Sequence, residues 1–123
     1  MPHNPQRLLV VQKADVLVVE VHLLAKRHHH RLGTLSPGIR NQLLRAAVSV
    51  SANLGESCGP HSPAKAVVFI DVAIGSLNEV ERLLRLLQRL GVREVTDPLI
   101  DSVIEVRKLA YGFRKRVQQS SPS

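Results

Sequence analysis

The hydrophobic positions of this chain recur every three or four residues through four segments, which are separated by glycine, proline and serine. This spacing places apolar side chains on one face of a helix. The pattern therefore predicts four amphipathic helices and no β-sheet. The four apolar stripes are Val10, Ala14, Leu17, Val21, Leu24; Leu43, Ala47, Val50, Leu54; Ile70, Ala73, Leu77, Val80, Leu84, Leu87; and Leu99, Val103, Val106, Ala110, Phe113, Val117.

Residues between the stripes indicate where each helix begins and ends. Ser36-Pro37, Ser62-Pro63 and Asp97-Pro98 are typical of an N-cap followed by the first helical position. Gly91 is typical of a residue that terminates a helix. The predicted helices span about 6–31, 37–57, 62–90 and 97–118.

Short connections between four helices favour an all-α, antiparallel up-down four-helix bundle. The length of the chain predicts a single domain over residues 1–123. The polar residues 118–123 are expected to form a disordered tail.

Two features predict close packing of helices. Leu83, Leu86 and Leu90 make the apolar face of the third helix wider than one stripe, which suggests contact with a further neighbour such as another subunit. Small side chains allow another helix to approach closely. The predicted small packing positions are Ala47, Ser51, Gly55 and Gly75.

The segment Gly55-Glu56-Ser57-Cys58-Gly59 matches the G-x-S-x-G pattern of serine hydrolases. That class of enzyme places an acid and then a histidine after the serine, but no histidine follows His61. The strand-like alternation before the motif also lies inside a helical stripe. We therefore predict that the chain is not an enzyme and has no catalytic residue.

Metal binding is the next candidate chemistry. His28–His30, Cys58 and His61 are suitable ligand types for zinc. Three consecutive helical residues point about 100° apart, however, so the histidines cannot all face one ion. We predict no metal and no cofactor. The carboxylates of Glu56 and Glu79 are expected to cap helices or bond between them rather than form a catalytic pair.

The charge is strongly positive. Seventeen Lys and Arg residues against ten acids give a net charge of +7 and a pI of about 10.5. Twelve of the seventeen are arginine, which binds phosphate in a bidentate manner. Phe69, Tyr111 and Phe113 are the aromatic residues, too few for base stacking, so contact with the nucleic-acid backbone is favoured. The alternative is a solvated cationic surface.

Cationic residues concentrate in the first, third and fourth helices. On the third helix, the positions from Asp71 through Gly75, Asn78, Arg82 and Arg85 to Arg89 are spaced 4, 3, 4, 3, 4 along one stripe. Helix dipoles and the ordinary i,i+4 pair of Glu81 with Arg85 account for part of this charge. The predicted nucleic-acid-binding or partner-binding residues are Lys26, Arg27, Arg31, Arg40, Arg45, Arg82, Arg85, Arg89, Arg107, Lys108 and Arg114.

The sequence also predicts a cytoplasmic location. Cys58 is the single cysteine, which is typical of a reducing compartment. The first residues lack the pattern of a signal peptide, and no uncharged apolar run is long enough to cross a membrane.

Three segments carry a resemblance to a known family. The segment Val11–Ala14 is similar to the early Q-K-A segment of the 23S rRNA intervening-sequence proteins. Asn41–Glu56 is similar to the central R-A-x-x-S signature of that family, and Ala73–Glu79 is similar to its A-x-G-S-x-x-E element. The proteins of this family are small bacterial four-helix bundles. The chain departs from the family pattern at Val11, where an aromatic residue is usual, and at Ser57, where glycine is usual.

The same fold is shared by the accessory variability determinant of diversity-generating retroelements. That protein is a basic homopentamer that binds a reverse transcriptase and nucleic acid. The resemblance implies a non-enzymatic, pentameric assembly that binds RNA or DNA backbone and assists a reverse transcriptase. The alternatives are an RNA-associated protein encoded by an rRNA intervening sequence and a pure protein-interaction module for an acidic partner.

Overall fold

Four helices make up the described part of the fold. The computed structural model of the protein describes residues 5–27 and 37–120, and none of these residues lies in a strand. The all-α prediction is therefore confirmed. The helices are α1 (Pro5–Arg27), α2 (Pro37–Ser57), α3 (Pro63–Arg89) and α4 (Asp97–Gln119).

The helix bounds agree with the prediction for α2 and differ elsewhere. Gln118 and Gln119, assigned to the tail from sequence, are helical because α4 continues to a C-cap at Ser120. The predicted extension of the first helix through residues 28–31 lies outside the described residues, as do residues 121–123 of the predicted tail.

The helices form an antiparallel bundle in which each helix packs against two neighbours. The packed pairs are α1 with α2, α2 with α3, α3 with α4, and α4 with α1. Arg107 of α4 lies beside Asn78 of α3, whereas Arg114 lies beside Asp71, so residue numbers run in opposite directions along the two helices. The predicted four-helix bundle is thus confirmed, with α1 and α3 on one diagonal.

The core consists of the four predicted stripes. Every residue of these stripes is buried except Val117, which is half-buried. The largest fully buried side chains are aliphatic, among them Leu17, Leu54, Leu77 and Leu84. Burying one such side chain contributes about 1.5–3 kcal/mol. Aliphatic packing therefore supplies most of the stability of this bundle.

Side-chain caps stabilise the N-terminal ends of α3 and α4. The Ser62 hydroxyl accepts the Lys65 backbone N–H at 3.2 Å, as predicted for a Ser-Pro start. For α4 the predicted N-cap, Asp97, is wrong. Thr96 is the cap and accepts the Leu99 N–H at 3.4 Å. The Asp97 carboxylate instead accepts a hydrogen bond from the side chain of Gln88 at 3.1 Å.

Gly91 terminates α3 as predicted. Its φ is +88°, in the left-handed region that glycine adopts without strain. The following Val92 N–H donates to the Leu87 carbonyl at 3.0 Å, which is the backbone bond of a Schellman motif.

The predicted small residues of α2 become progressively more exposed from Ala47 through Ser51 to Gly55. Ala47 is fully buried, and the Ser51 hydroxyl donates to the Asp15 carboxylate on α1. Gly55 and Gly75 are exposed, and a Cβ atom added at either would meet nothing within 4 Å. The prediction of close packing at these two glycines is therefore wrong inside the bundle. Four residues advance a helix by about 400°, so a line of residues four apart rotates by about 40° at each step.

Candidate nucleic-acid interface

A groove on the outer surface of α3 brings together most of the predicted cationic stripe. Its volume is about 590 Å³. We call it the α3 groove. Gln42 of α2 contributes to it and was missed from sequence, because spacing within one helix cannot identify a residue on another. The lining residues are Gln42, Gly75, Asn78, Glu79, Arg82, Leu83, Arg85, Leu86 and Arg89.

The three arginines of the α3 groove differ in their partners. Arg82 and Arg89 are exposed and make no hydrogen bond or ion pair with the described residues. The Arg85 Nε donates to the Glu81 carboxylate at 2.9 Å. Two full positive charges therefore remain available in the groove, where the exposed Glu79 is the one acid among the described lining residues.

Glu81 holds two arginines at once. Besides Arg85, it accepts a hydrogen bond from Arg107 Nη1 of α4 at 2.5 Å. These hydrogen bonds, that of Arg85 first and that of Arg107 second, lower the pKa of the Glu81 carboxyl below its ordinary value. Arg107 also donates to the Asn78 side chain at 2.9 Å. Arg107 thus joins α3 to α4 and shares the one negative charge of Glu81 with Arg85.

Arg114, two turns after Arg107 on α4, is also paired with a carboxylate of α3. Its Nε donates to the Asp71 carboxylate at 2.6 Å, and its Nη2 donates to the second carboxylate oxygen at 3.3 Å. The Asp71 carboxylate raises the pKa of Arg114 above its ordinary value. Of the predicted binding residues, Arg85, Arg107 and Arg114 therefore already have carboxylate partners inside the chain.

We expect Glu81→Gln to lower the free energy of unfolding by about 1 kcal/mol at pH 7, because two charge-assisted hydrogen bonds become weaker ones. The lowered pKa means that the folded state favours the ionised carboxyl. The stabilisation is therefore present above about pH 4.5 and is lost as pH falls through the lower pKa of the folded state. Urea unfolding of the wild type and the variant at pH 7 and pH 3 measures this difference.

Glu79→Gln is the matched control, because Glu79 is exposed on the same helix and has no ion-pair partner among the described residues. It should change stability by less than about 0.5 kcal/mol at pH 7. An equal effect of the two substitutions would contradict the role assigned to the Glu81 ion pairs.

A second cavity lies between α1 and α2. It has a volume of about 330 Å³ and contains two of the predicted cations, Lys26 and Arg40. We call it the α1–α2 cleft. Its other lining residues are His22, Ala25 and Leu44.

The remaining predicted cations are scattered. Arg45 is exposed on α2, and Lys108 is exposed on α4. Neither lines the α3 groove or the α1–α2 cleft. The side chain of Arg27, the whole of Arg31 and the histidines 28–30 lie outside the described residues.

The G-x-S-x-G segment forms the end of a helix. Ser57 is the last residue of α2, is buried, and donates its hydroxyl to the Leu54 carbonyl at 2.6 Å. Neither Glu56 nor Glu79 bonds through its carboxylate to another helix among the described residues, so the expected inter-helix bonding of these carboxylates is wrong. Glu56 lies 3.5 Å from the His61 ring nitrogen Nε2.

Two features are absent from the described part of the chain. No cluster of three or more His, Cys, Asp or Glu side chains suitable for a metal ion occurs within residues 5–27 and 37–120. Within those same ranges, no helix combines the length and the apolar character needed to cross a bilayer.

The outward face of α1 is unusually apolar. Leu9, Val16, Val19 and Leu23 are 40%, 54%, 56% and 47% exposed. Their spacing of 7, 3 and 4 places them along one side of the helix, opposite the buried stripe. We call these four residues the α1 outer stripe. Exposed apolar residues grouped on one helix face are a candidate contact surface for another molecule.

These features define a class: an antiparallel four-helix bundle with an arginine-lined groove and an exposed apolar helix face. The family model of the 23S rRNA-intervening sequence proteins matches residues 6–112. The chain belongs to this family.

Two further comparisons bear on the chain. It is similar in fold to a crystal structure of a protein of unknown function from the S23 ribosomal protein family of Bacteroides thetaiotaomicron VPI-5482. The two chains are 24% identical, with a TM-score of 0.77, and the match covers 89% of this chain and 98% of the other. No curated protein sequence matches this chain significantly.

Proposed function

We propose that this protein is a non-enzymatic, homo-oligomeric accessory protein that binds the backbone of RNA or DNA through the α3 groove. The observation that carries this proposal is the pair of exposed arginines, Arg82 and Arg89, which have no partner among the described residues yet share one groove. Unpaired arginine at a groove is suited to phosphate, since its N–H groups match two phosphate oxygens.

The overall charge supports the same function. A chain with a net charge of +7 attracts polyanions, and several copies in one assembly would strengthen the field. Few aromatic side chains are present to stack on bases, so binding is expected to show little sequence preference. The protein partner that fits the family resemblance is the reverse transcriptase of a diversity-generating retroelement.

Two alternatives use the same surface. One is an RNA-associated role for a protein encoded within an rRNA intervening sequence, which accords with the name of the family. The other is a pure protein-interaction module whose cations bind an acidic partner. Two probes of equal charge distinguish the protein-interaction module from a protein that binds nucleic acid. A labelled single-stranded RNA should bind more tightly than a polyglutamate peptide of equal charge, and equal affinities would favour the interaction module.

The homo-oligomeric part of the proposal is supported by the α1 outer stripe and by the exposed Leu86 and Leu90 at the end of α3. The number of subunits, five, comes from the family resemblance. We expect light scattering of the wild type to give five times the chain mass of 13.6 kDa.

Replacing both Val16 and Val19 with glutamate is expected to dissociate the assembly into single chains, because two carboxylates would enter an apolar contact without partners. Both valines are more than half exposed in the single chain, so the bundle itself should keep its helicity. Light scattering measures the mass, and circular dichroism measures the helicity.

Val48→Glu is the control, since Val48 is 48% exposed on α2 but has no apolar stripe around it. Its mass should equal that of the wild type. An unchanged mass for the Val16 and Val19 double variant would contradict assembly through the α1 outer stripe.

A further inference from the structure

The α1–α2 cleft combines cations from two helices with no acid among its described lining residues. Lys26 comes from the end of α1 and Arg40 from the first turn of α2. Neither side chain makes an ion pair with the described residues. This cleft shares no lining residue with the α3 groove. It is therefore a second concentration of uncompensated positive charge on the bundle.

Arg40 carries an unsatisfied hydrogen-bond donor at this place. Its Nε atom is buried and has no hydrogen-bond partner among the described residues. Buried N–H groups in folded proteins almost always have an acceptor, because leaving one unpaired is unfavourable. Arg40 thus lines the cleft and has an Nε–H without an acceptor among the described residues.

His22 adds a third polar group to the wall of the cleft. Its Nδ1 donates to the Val18 carbonyl at 2.9 Å, which fixes the ring by a bond within α1. The Nε2 atom has no partner among the described residues. Ala25 and Leu44 supply the apolar remainder of the wall.

We propose that the α1–α2 cleft is a binding site for a phosphate group. The Nε–H and one Nη–H of Arg40 would donate to two phosphate oxygens, which is the side-on bidentate geometry that guanidinium groups form with phosphate. Lys26 would neutralise the remaining charge from the opposite helix. A phosphate monoester carries close to two negative charges at pH 7, so it matches two cations better than a carboxylate does.

Two sources could supply the phosphate oxygens: the backbone of a nucleic-acid strand, a phosphodiester with one negative charge, and a free phosphate monoester, whose second charge matches the second cation. The first source deepens the proposed function and rests on it, whereas the second stands without it. Binding of inorganic phosphate, of AMP and of a single-stranded RNA to the full chain distinguishes the two, with calorimetry for the small ligands and fluorescence anisotropy for the strand.

Arg40→Leu is expected to weaken binding of phosphate and AMP at least tenfold, and Arg40→Lys, which keeps the charge but removes the Nε–H, is expected to give an intermediate loss. Arg116→Leu is the control, because Arg116 is exposed near the end of α4 and does not line the cleft. It should leave the affinity unchanged. Circular dichroism establishes that each variant is folded.

Each outcome supports or overturns the phosphate site. If AMP and phosphate lose affinity while the strand does not, the ligand is a free monoester. If the strand also loses affinity, the cleft holds a backbone phosphate. Equal affinity of Arg40→Leu and wild type for phosphate and AMP would overturn the site, as would displacement of phosphate by acetate at equal concentration. Loss of strand binding in an Arg82 and Arg89 variant that still binds phosphate would leave the α1–α2 cleft intact as a separate site.

Discussion

Replacing Arg82 and Arg89 together with glutamate is expected to lower the affinity for single-stranded RNA on the order of 100-fold at 100 mM salt, because a charge-assisted hydrogen bond to phosphate contributes about 1.5–3 kcal/mol. Both side chains are exposed in the α3 groove and have no partner among the described residues. The fold should therefore survive the substitution. Fluorescence anisotropy of a labelled strand measures the affinity.

Arg85 is left out of this variant because it is paired with Glu81, and its loss would disturb the contact of that carboxylate with α4. The matched control replaces Lys115 and Arg116 with glutamate. Both residues are exposed near the end of α4 and lie outside the α3 groove. This control changes the net charge by the same amount and should weaken binding far less. Equal losses in the two variants would mean that total charge, and not the groove, determines binding.

A loss of stability of about 2–5 kcal/mol is expected for Leu77→Ala, the range found when a buried leucine leaves a cavity. Leu77 is fully buried at the middle of α3, the helix that packs against both α2 and α4. Protein cores are closely packed, so the surrounding residues fill the space only in part. Urea unfolding followed by circular dichroism at fixed protein concentration measures the change.

Val68→Ala also truncates an apolar side chain on α3, where Val68 is 58% exposed and lies outside the α3 groove. It should lower the free energy of unfolding by less than about 1 kcal/mol, since the side chain leaves little cavity behind. If the Leu77 variant were as stable as the Val68 variant, the inward orientation of the predicted α3 stripe would be contradicted.

The fold was predictable because periodicity and helix ends are local properties of a sequence. The spacing of three and four residues from Ile70 to Leu87 indicates which side of α3 faces the core, and Gly91 indicates where that helix ends. The N-cap of α4 was predicted one residue late, at Asp97 rather than Thr96. Both Thr96 and Asp97 are suitable caps, and the choice depends on Gln88, which bonds to Asp97 from the preceding helix.

The candidate site was predictable only in part. Spacing within α3 correctly placed Arg82, Arg85 and Arg89 on one surface. It could not show that Arg114 is held by Asp71, because the two residues are 43 positions apart and meet only when α3 and α4 pack. The same limit explains why the unpaired cations could be recognised only after the bundle was assembled.

The α1 outer stripe was missed for a different reason. Val16 and Val19 lie on the exposed face of α1, whereas Leu17 lies on the buried face. The buried stripe through Leu17 was by itself enough to predict the helix. Val16 and Val19 then remained as apolar residues without an assigned neighbour. Their exposure became evident only once the positions of α2 and α4 were known.

The salt dependence of RNA binding tests the central claim most directly, since contact with phosphates releases bound counterions. For a single strand, log K falls with log salt with a slope of about −0.7 for each phosphate neutralised. Arg82 and Arg89 alone then predict roughly a sevenfold loss of affinity between 50 and 200 mM salt. The glutamate variant of both residues should show a slope shallower by about 1.4. An affinity of the wild type that does not change across this range, or a slope that is the same in the variant, would contradict backbone binding through the α3 groove.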